Sequence, residues 1–188
     1  MPVAFEVAAA LRASLDTLVV RKLGAPLQPE LAIGAIASGD IRVLNDELVG
    51  SVPGLDENVL EEIATREMQE LKRRERTYRG DRPYPDLQGK NVVLVDDGMA
   101  TGATMRAAIL AVRSRGPAKI VVAVPAGSRS AVKRVAEMAD NVICLESPAG
   151  FNAVGQFYRA FGQTSDDEVR ELLDKAREIG RDAWPRTG

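Results

Sequence analysis

The chain has 188 residues, 45% hydrophobic and 28% charged, with a formal net charge of -2; that length suits one domain over residues 1–188, and the near balance of charge argues against a nucleic-acid partner. No stretch approaches the roughly 18 apolar residues of a membrane span and the N-terminus has no secretory pattern, so no membrane partner and a cytoplasmic location are expected. Histidine is absent, which excludes Ser-His-Asp and Cys-His catalysis, histidine-ligated zinc and imidazole proton shuttling.

Val3, Val7, Ala8, Leu11 and Leu15 recur at helical spacing, so the chain opens on an amphipathic helix over 3–15. Residues 17–22, TLVVRK, are a β-branched run that reads as a buried strand ending in two cations, followed by a loop at Leu23-Gly24-Ala25-Pro26. Residues 31–45 read as a hairpin around Ser38-Gly39-Asp40, with Gly39 supplying a positive φ. Asp56 is placed to cap a helix running to about Arg76, and the Pro- and Gly-bearing stretch 77–90 reads as a loop.

The pattern then becomes regular. Strand 91–95, helix 102–115, strand 119–124, helix 129–139 and strand 141–145 alternate as right-handed βαβ crossovers require, which gives a parallel sheet. Cys144, the one cysteine, lies in an apolar run and is expected to be a buried, reduced thiol. Ser165 and Glu168 have the spacing of a capping box. Val169, Leu172, Leu173, Ala176 and Ile179 then form one apolar stripe, so a docked helix is expected near the C-terminus.

Ligands of a parallel sheet collect outside the carboxyl ends of its strands. The junction VVLVDDGMATGAT, residues 92–104, is the most informative of these. Asp96 and Asp97 end the strand as two carboxylates able to accept hydrogen bonds from vicinal hydroxyls. Ala100, Thr101, Gly102, Ala103 and Thr104 are small or hydroxylated and enter a helix, so backbone amides and the positive end of the helix dipole face one anion. Diol and phosphate are the two ends of a ribose 5-phosphate. A P-loop and a GxGxxG fingerprint are both missing.

Strand, acidic pair and ATGAT loop together resemble the signature with which type I phosphoribosyltransferases bind 5-phosphoribosyl-1-pyrophosphate (PRPP). VAFEVAAALR, VVRKLGAP, IGAIASG and YRAFGQTSDDEV are similar to an uncharacterised group of predicted phosphoribosyltransferases. The resemblance implies a three-layer α/β/α fold with a mainly parallel sheet, a hairpin and basic-loop region at 31–90 and a C-terminal hood and helix at 146–188. It begins at the first helix of that fold, so the usual N-terminal strand and pyrophosphate loop are expected to be missing, with catalytic competence left open.

The same resemblance implies roles. Asp96 and Asp97 would bind the ribose hydroxyls and, indirectly, Mg2+. Ala100 to Thr104 would wrap the 5-phosphate, Arg21 and Lys22 would face pyrophosphate, and Phe151 would stack on the acceptor. Phe151, Phe157, Tyr158 and Phe161 also suit a small core under the last helix. The basic run 72–82 suits either a lid over pyrophosphate or a solvated helix end.

The implied activity is a Mg-dependent glycosyl transfer in nucleotide metabolism, from PRPP to a small nitrogenous acceptor with release of pyrophosphate. A homodimer is a candidate assembly. Ala100 stands where hypoxanthine-guanine enzymes have an aspartate, so their substrate does not carry over. Gly98 replaces the aliphatic residue usual after the acidic pair. A non-catalytic PRPP- or nucleotide-binding regulatory protein is the alternative.

Overall fold

The computed structural model describes residues 1–39, 41–44, 49–80 and 82–183, with the side chains of 29, 30, 32 and 180–183 left aside. Asp40 and Asn45 of the expected hairpin, and residues 184–188 of the C-terminal region, lie outside it. Helix α1, Pro2–Leu11, stops earlier than the periodicity suggests, because Arg12 turns into the left-handed region at φ 50°. Strands β1 (Val20–Ala25), β2 (Gln28–Ala37) and β3 (Ile41–Leu44) form an antiparallel sheet in the order β1-β2-β3. Gly39 takes φ 90° in the β2–β3 turn, as expected.

β1 departs from its sequence reading. Leu23, Gly24 and Ala25 are strand, with register shifts on either side of Gly24, and the chain turns at Pro26-Leu27 to pair Ala25 with Gln28. Arg21 and Lys22 therefore sit in mid-strand, in an antiparallel sheet, and not at the carboxyl end of a parallel one.

Helix α2, Glu57–Arg79, is capped at Asp56, whose carboxylate accepts the Val59 amide at 2.9 Å. It runs past the expected stop at Arg76, since its last turn finds partners: the Tyr78 hydroxyl donates to Asp166 at 2.6 Å and Arg79 is buried. Arg73 and Arg74 both pair with Glu70. Most of the basic run 72–82 is thus helix, and Arg73, Arg74 and Arg79 are engaged with neighbours.

Strands β4 (Asn91–Val95), β5 (Lys119–Ala126) and β6 (Asn141–Glu146) form a parallel sheet in the order β4-β5-β6. Helices α3 (Ala103–Arg113) and α4 (Arg129–Ala136) are its crossovers. Met105, Ile109, Val112, Ala131 and Val135 of these helices pack on Leu94, Ile120, Val122 and Val124 in one core. Strand β1 and helix α2 frame a second core around Leu23, Ile33, Ile36, Ile63 and Leu71. Helix α5, Asp166–Ala183, buries Val169, Leu173 and Ala176, while Ile179 is exposed; the Ser165 hydroxyl accepts the Glu168 amide at 3.2 Å. Cys144 is half-buried and donates to the Glu146 carbonyl. No described helix is long and apolar enough to cross a membrane.

Candidate functional site

The chain leaving β4 continues beside the end of β5 before it enters α3. Met99 and Gly127 form a parallel bridge, with the Met99 amide donating to the Ala126 carbonyl and the Ser128 amide to the Met99 carbonyl, both at 2.9 Å. Met99 is buried, so its side chain anchors the loop while Ala100 and Thr101 stay exposed. Asp96 and Asp97 stand at the carboxyl end of β4, half-buried, and Asp96 Oδ1 accepts the Asp97 amide at 2.9 Å. Burial first, then the neighbouring Asp97 carboxylate, push the Asp96 carboxyl up to about 6. A group held that close to neutrality gains from any ligand that solvates its charge.

Loop 100–104 leads into an open helix mouth. Gly102 caps α3 in the left-handed region at φ 76°, a conformation for which glycine is suited. The first bond of the helical ladder is Arg106 amide to Gly102 carbonyl. The amides of Ala103, Thr104 and Met105 precede it, and the Ala103 amide reaches only Thr101 Oγ1, at 3.4 Å. The loop carbonyls are drawn the other way: Ser128 Oγ donates to Ala100 at 2.7 Å and Arg134 Nη2 to Thr101 at 3.0 Å. With these two carbonyls taken up by donors from α4, the amides at the start of α3 are the donors left for an anion. Ser128 and Arg134 escaped the sequence reading; the cap of α4 signals Ser128, but no local pattern aims Arg134 at a loop 33 residues away.

Beyond β6 the chain returns to this junction. The Tyr158 hydroxyl donates to the Asp97 carbonyl at 2.6 Å, and Val154 packs against Gly98. Phe151 stacks on Phe157 with centroids 5.3 Å apart, and Tyr158 meets Phe161 at 5.2 Å. None of the four aromatics belongs to either buried core.

Asp96, Asp97, loop 100–104 and the aromatic segment thus share one end of the parallel sheet. Arg21 and Lys22 lie elsewhere. They line a cavity of about 560 Å³ with Arg66, Glu62 and Glu67, which shares no lining residue with the acidic loop. There Arg21 Nε and Nη2 both donate to Glu67 Oε2, at 2.9 and 2.7 Å. Among the described residues no cluster of three or more His, Cys, Asp or Glu could hold a metal. The Asp96–Asp97 pair offers hard oxygen donors, which fits a divalent cation that keeps water and substrate oxygens as most of its ligands.

Known proteins supply an independent comparison. Two Mycobacterium tuberculosis proteins, "Putative phosphoribosyl transferase Rv0571c" of strain H37Rv and "Putative phosphoribosyl transferase MT0597" of strain CDC 1551, are each 52% identical over 176 residues. The alignment covers 94% of this chain and 40% of either relative, so the chain spans about two fifths of their length. The crystal structure of TT1426 from Thermus thermophilus superposes with a TM-score of 0.80 at 43% identity, over 92% of this chain and 81% of that one. Residues 3–160, which contain the β4–α3 junction and the aromatic segment up to Tyr158, match the family described as phosphoribosyl transferase domain, and the chain belongs to that family.

Proposed function

We propose that this chain binds PRPP with Mg2+ and transfers its 5-phosphoribosyl group to a small nitrogenous acceptor, releasing pyrophosphate. The observation that carries the proposal is the β4–α3 junction, where a carboxylate pair and an amide-lined helix mouth are joined by a short loop whose carbonyls are tied away. Asp96 and Asp97 accept the ribose hydroxyls, and the amides of 100–104 receive the 5-phosphate. Arg134, already held at the Thr101 carbonyl, lends its remaining guanidinium donors and charge to that phosphate.

In the reaction the bond between C1 and the pyrophosphate oxygen breaks with its electron pair leaving on pyrophosphate, while a ring nitrogen donates a pair to C1. Asp96 and Asp97 would hold Mg2+ indirectly, through water and substrate oxygens, and the ion would supply charge stabilisation to the leaving group. The protein's share is position and charge. Phe151 offers a flat face to the acceptor. Arg21 and Lys22 line a cavity apart from the acidic loop, where the Arg21 fork is turned to Glu67, so the pyrophosphate role is not given to them in this reading.

That last contact favours a second reading, a regulatory protein that binds PRPP or a nucleotide without turning it over, because Glu67 occupies the Arg21 fork. Calorimetry with PRPP and Mg2+ tests what the two readings share. Binding in the micromolar range that is lost in the double variant Asp96→Asn, Asp97→Asn supports both, and heat of binding unchanged by that variant defeats both. Pyrophosphate release across a panel of nucleobases and orotate then separates transferase from sensor.

A further inference from the structure

The aromatic segment touches the acidic loop at two adjacent points. The Tyr158 hydroxyl reaches the Asp97 carbonyl at 2.6 Å. One residue on, Gly98 leaves no room for a side chain: a Cβ there would stand 2.7 Å from Val154 Cγ1 and 2.9 Å from the Ala126 carbonyl oxygen, so the absence of a side chain is what lets Val154 settle on the loop. Between these anchors runs the short 3-10 turn Val154–Phe157, which sets Phe157 against Phe151 with their planes at 21°. The ring stack therefore hangs from the acidic loop by both ends of one turn.

We infer that Tyr158 is a positioning residue that ties segment 151–161 to the backbone of the diol-binding loop, so that filling the ribose-phosphate end of the site orders the surface on which a planar acceptor lies. The inference rests on reading Asp96 and Asp97 as the diol ligands. A ligand that engages the Asp97 carboxylate acts on the residue whose carbonyl Tyr158 holds, so the coupling crosses a single residue.

Amide hydrogen exchange of the full chain, with and without PRPP and Mg2+, reads both halves of the site at once. In the wild type PRPP is expected to slow exchange in 96–104 and 151–161 together, by about tenfold or more. In Tyr158→Phe the response of 96–104 should persist while that of 151–161 shrinks about threefold to tenfold, the range set by one half-buried hydrogen bond. A tyrosine serving local stability alone would speed exchange of 151–161 in the free protein and leave its response to PRPP whole, which overturns the inference. Val154→Ala trims the second anchor with the hydroxyl and loop 96–104 in place and should weaken the response in the same way; an undiminished response in the two variants overturns the inference again. Protection confined to 96–104 in the wild type also defeats it and leaves the ribose-phosphate reading standing. Protection of neither segment defeats that reading and the inference together.

Discussion

Asp96 shows how a residue proposed to bind ribose is carried at a cost to the fold. Its carboxyl ordinarily titrates near 3.8 and is raised to about 6 by burial and by Asp97. Between those values the folded chain holds a proton that the unfolded chain has released, so stability from this group falls as pH rises through that window. Above it the Asp96 charge opposes folding by up to about 3 kcal/mol, at roughly 1.36 kcal/mol per pH unit. Asp96→Asn keeps an oxygen for the Asp97 amide and removes the charge. It is expected to raise the unfolding free energy of the ligand-free protein by about 1–3 kcal/mol at pH 7.5, with the gain fading below pH 4. Urea denaturation at the two pH values checks this; equal effects at both would show that burial and the Asp97 charge are not what raises the group.

At the scale of elements, α4 organises the loop that α3 opens. Its cap residue Ser128 accepts the Ala131 amide at 3.1 Å and donates to the Ala100 carbonyl, and Arg134, one and a half turns on, holds Thr101. If Arg134 also faces the phosphate, Arg134→Gln keeps a donor for the Thr101 carbonyl but loses the charge. Its affinity for PRPP and for ribose 5-phosphate should then fall by roughly tenfold or more, the scale of one charge-assisted hydrogen bond, while pyrophosphate binding stays unchanged. Competition calorimetry with the three ligands checks the pattern.

The parallel half of the fold was legible because each strand is a continuous apolar run and each crossover an amphipathic helix. Asp96, Asp97 and residues 100–104 fall in one stretch of sequence, so their meeting required no tertiary knowledge. The antiparallel half was harder. Gly24-Ala25-Pro26 has the composition of a turn, yet the strand absorbs Gly24 with an irregularity and turns two residues later. Arg21 reads as a strand-end cation, and nothing local reveals that Glu67, 46 residues away, fills its fork. Tyr158 and Arg134 are invisible for the same reason: each acts on a backbone carbonyl, and a carbonyl leaves no mark in sequence.

Across the whole molecule the two sheets are joined by shared side chains. Segment 18–25 sends Leu18 and Val20 into the core of the parallel sheet and Val19, Leu23 and Ala25 into the other. A polar joint lies near its start. Arg79, 8% exposed at the end of α2, donates to both Asp16 oxygens at 2.8 and 2.9 Å and to the Thr17 and Pro83 carbonyls at 3.0 and 3.1 Å. Tyr84 has the Arg79 guanidinium 4.0 Å and the Arg115 guanidinium 4.5 Å from its ring centroid. Arg115, just past α3, donates in turn to the Ser38 carbonyl at 2.7 Å, beside the β2–β3 turn. Arg79→Ala strands Asp16 and two carbonyls and strips one face of Tyr84. Because Asp16 is 39% exposed and water can reach it, the loss is expected near the lower end for a broken buried pair, about 3 kcal/mol. Arg79→Lys, a single ammonium in place of a fork, should recover no more than about half of that. If the joint serves both sheets, native-state hydrogen exchange in β2 and β5 will accelerate by the same factor, roughly a hundredfold for about 3 kcal/mol. Acceleration in β2 with β5 unchanged would mean that the parallel sheet stands without the joint, and that the candidate site keeps its frame when the antiparallel half opens.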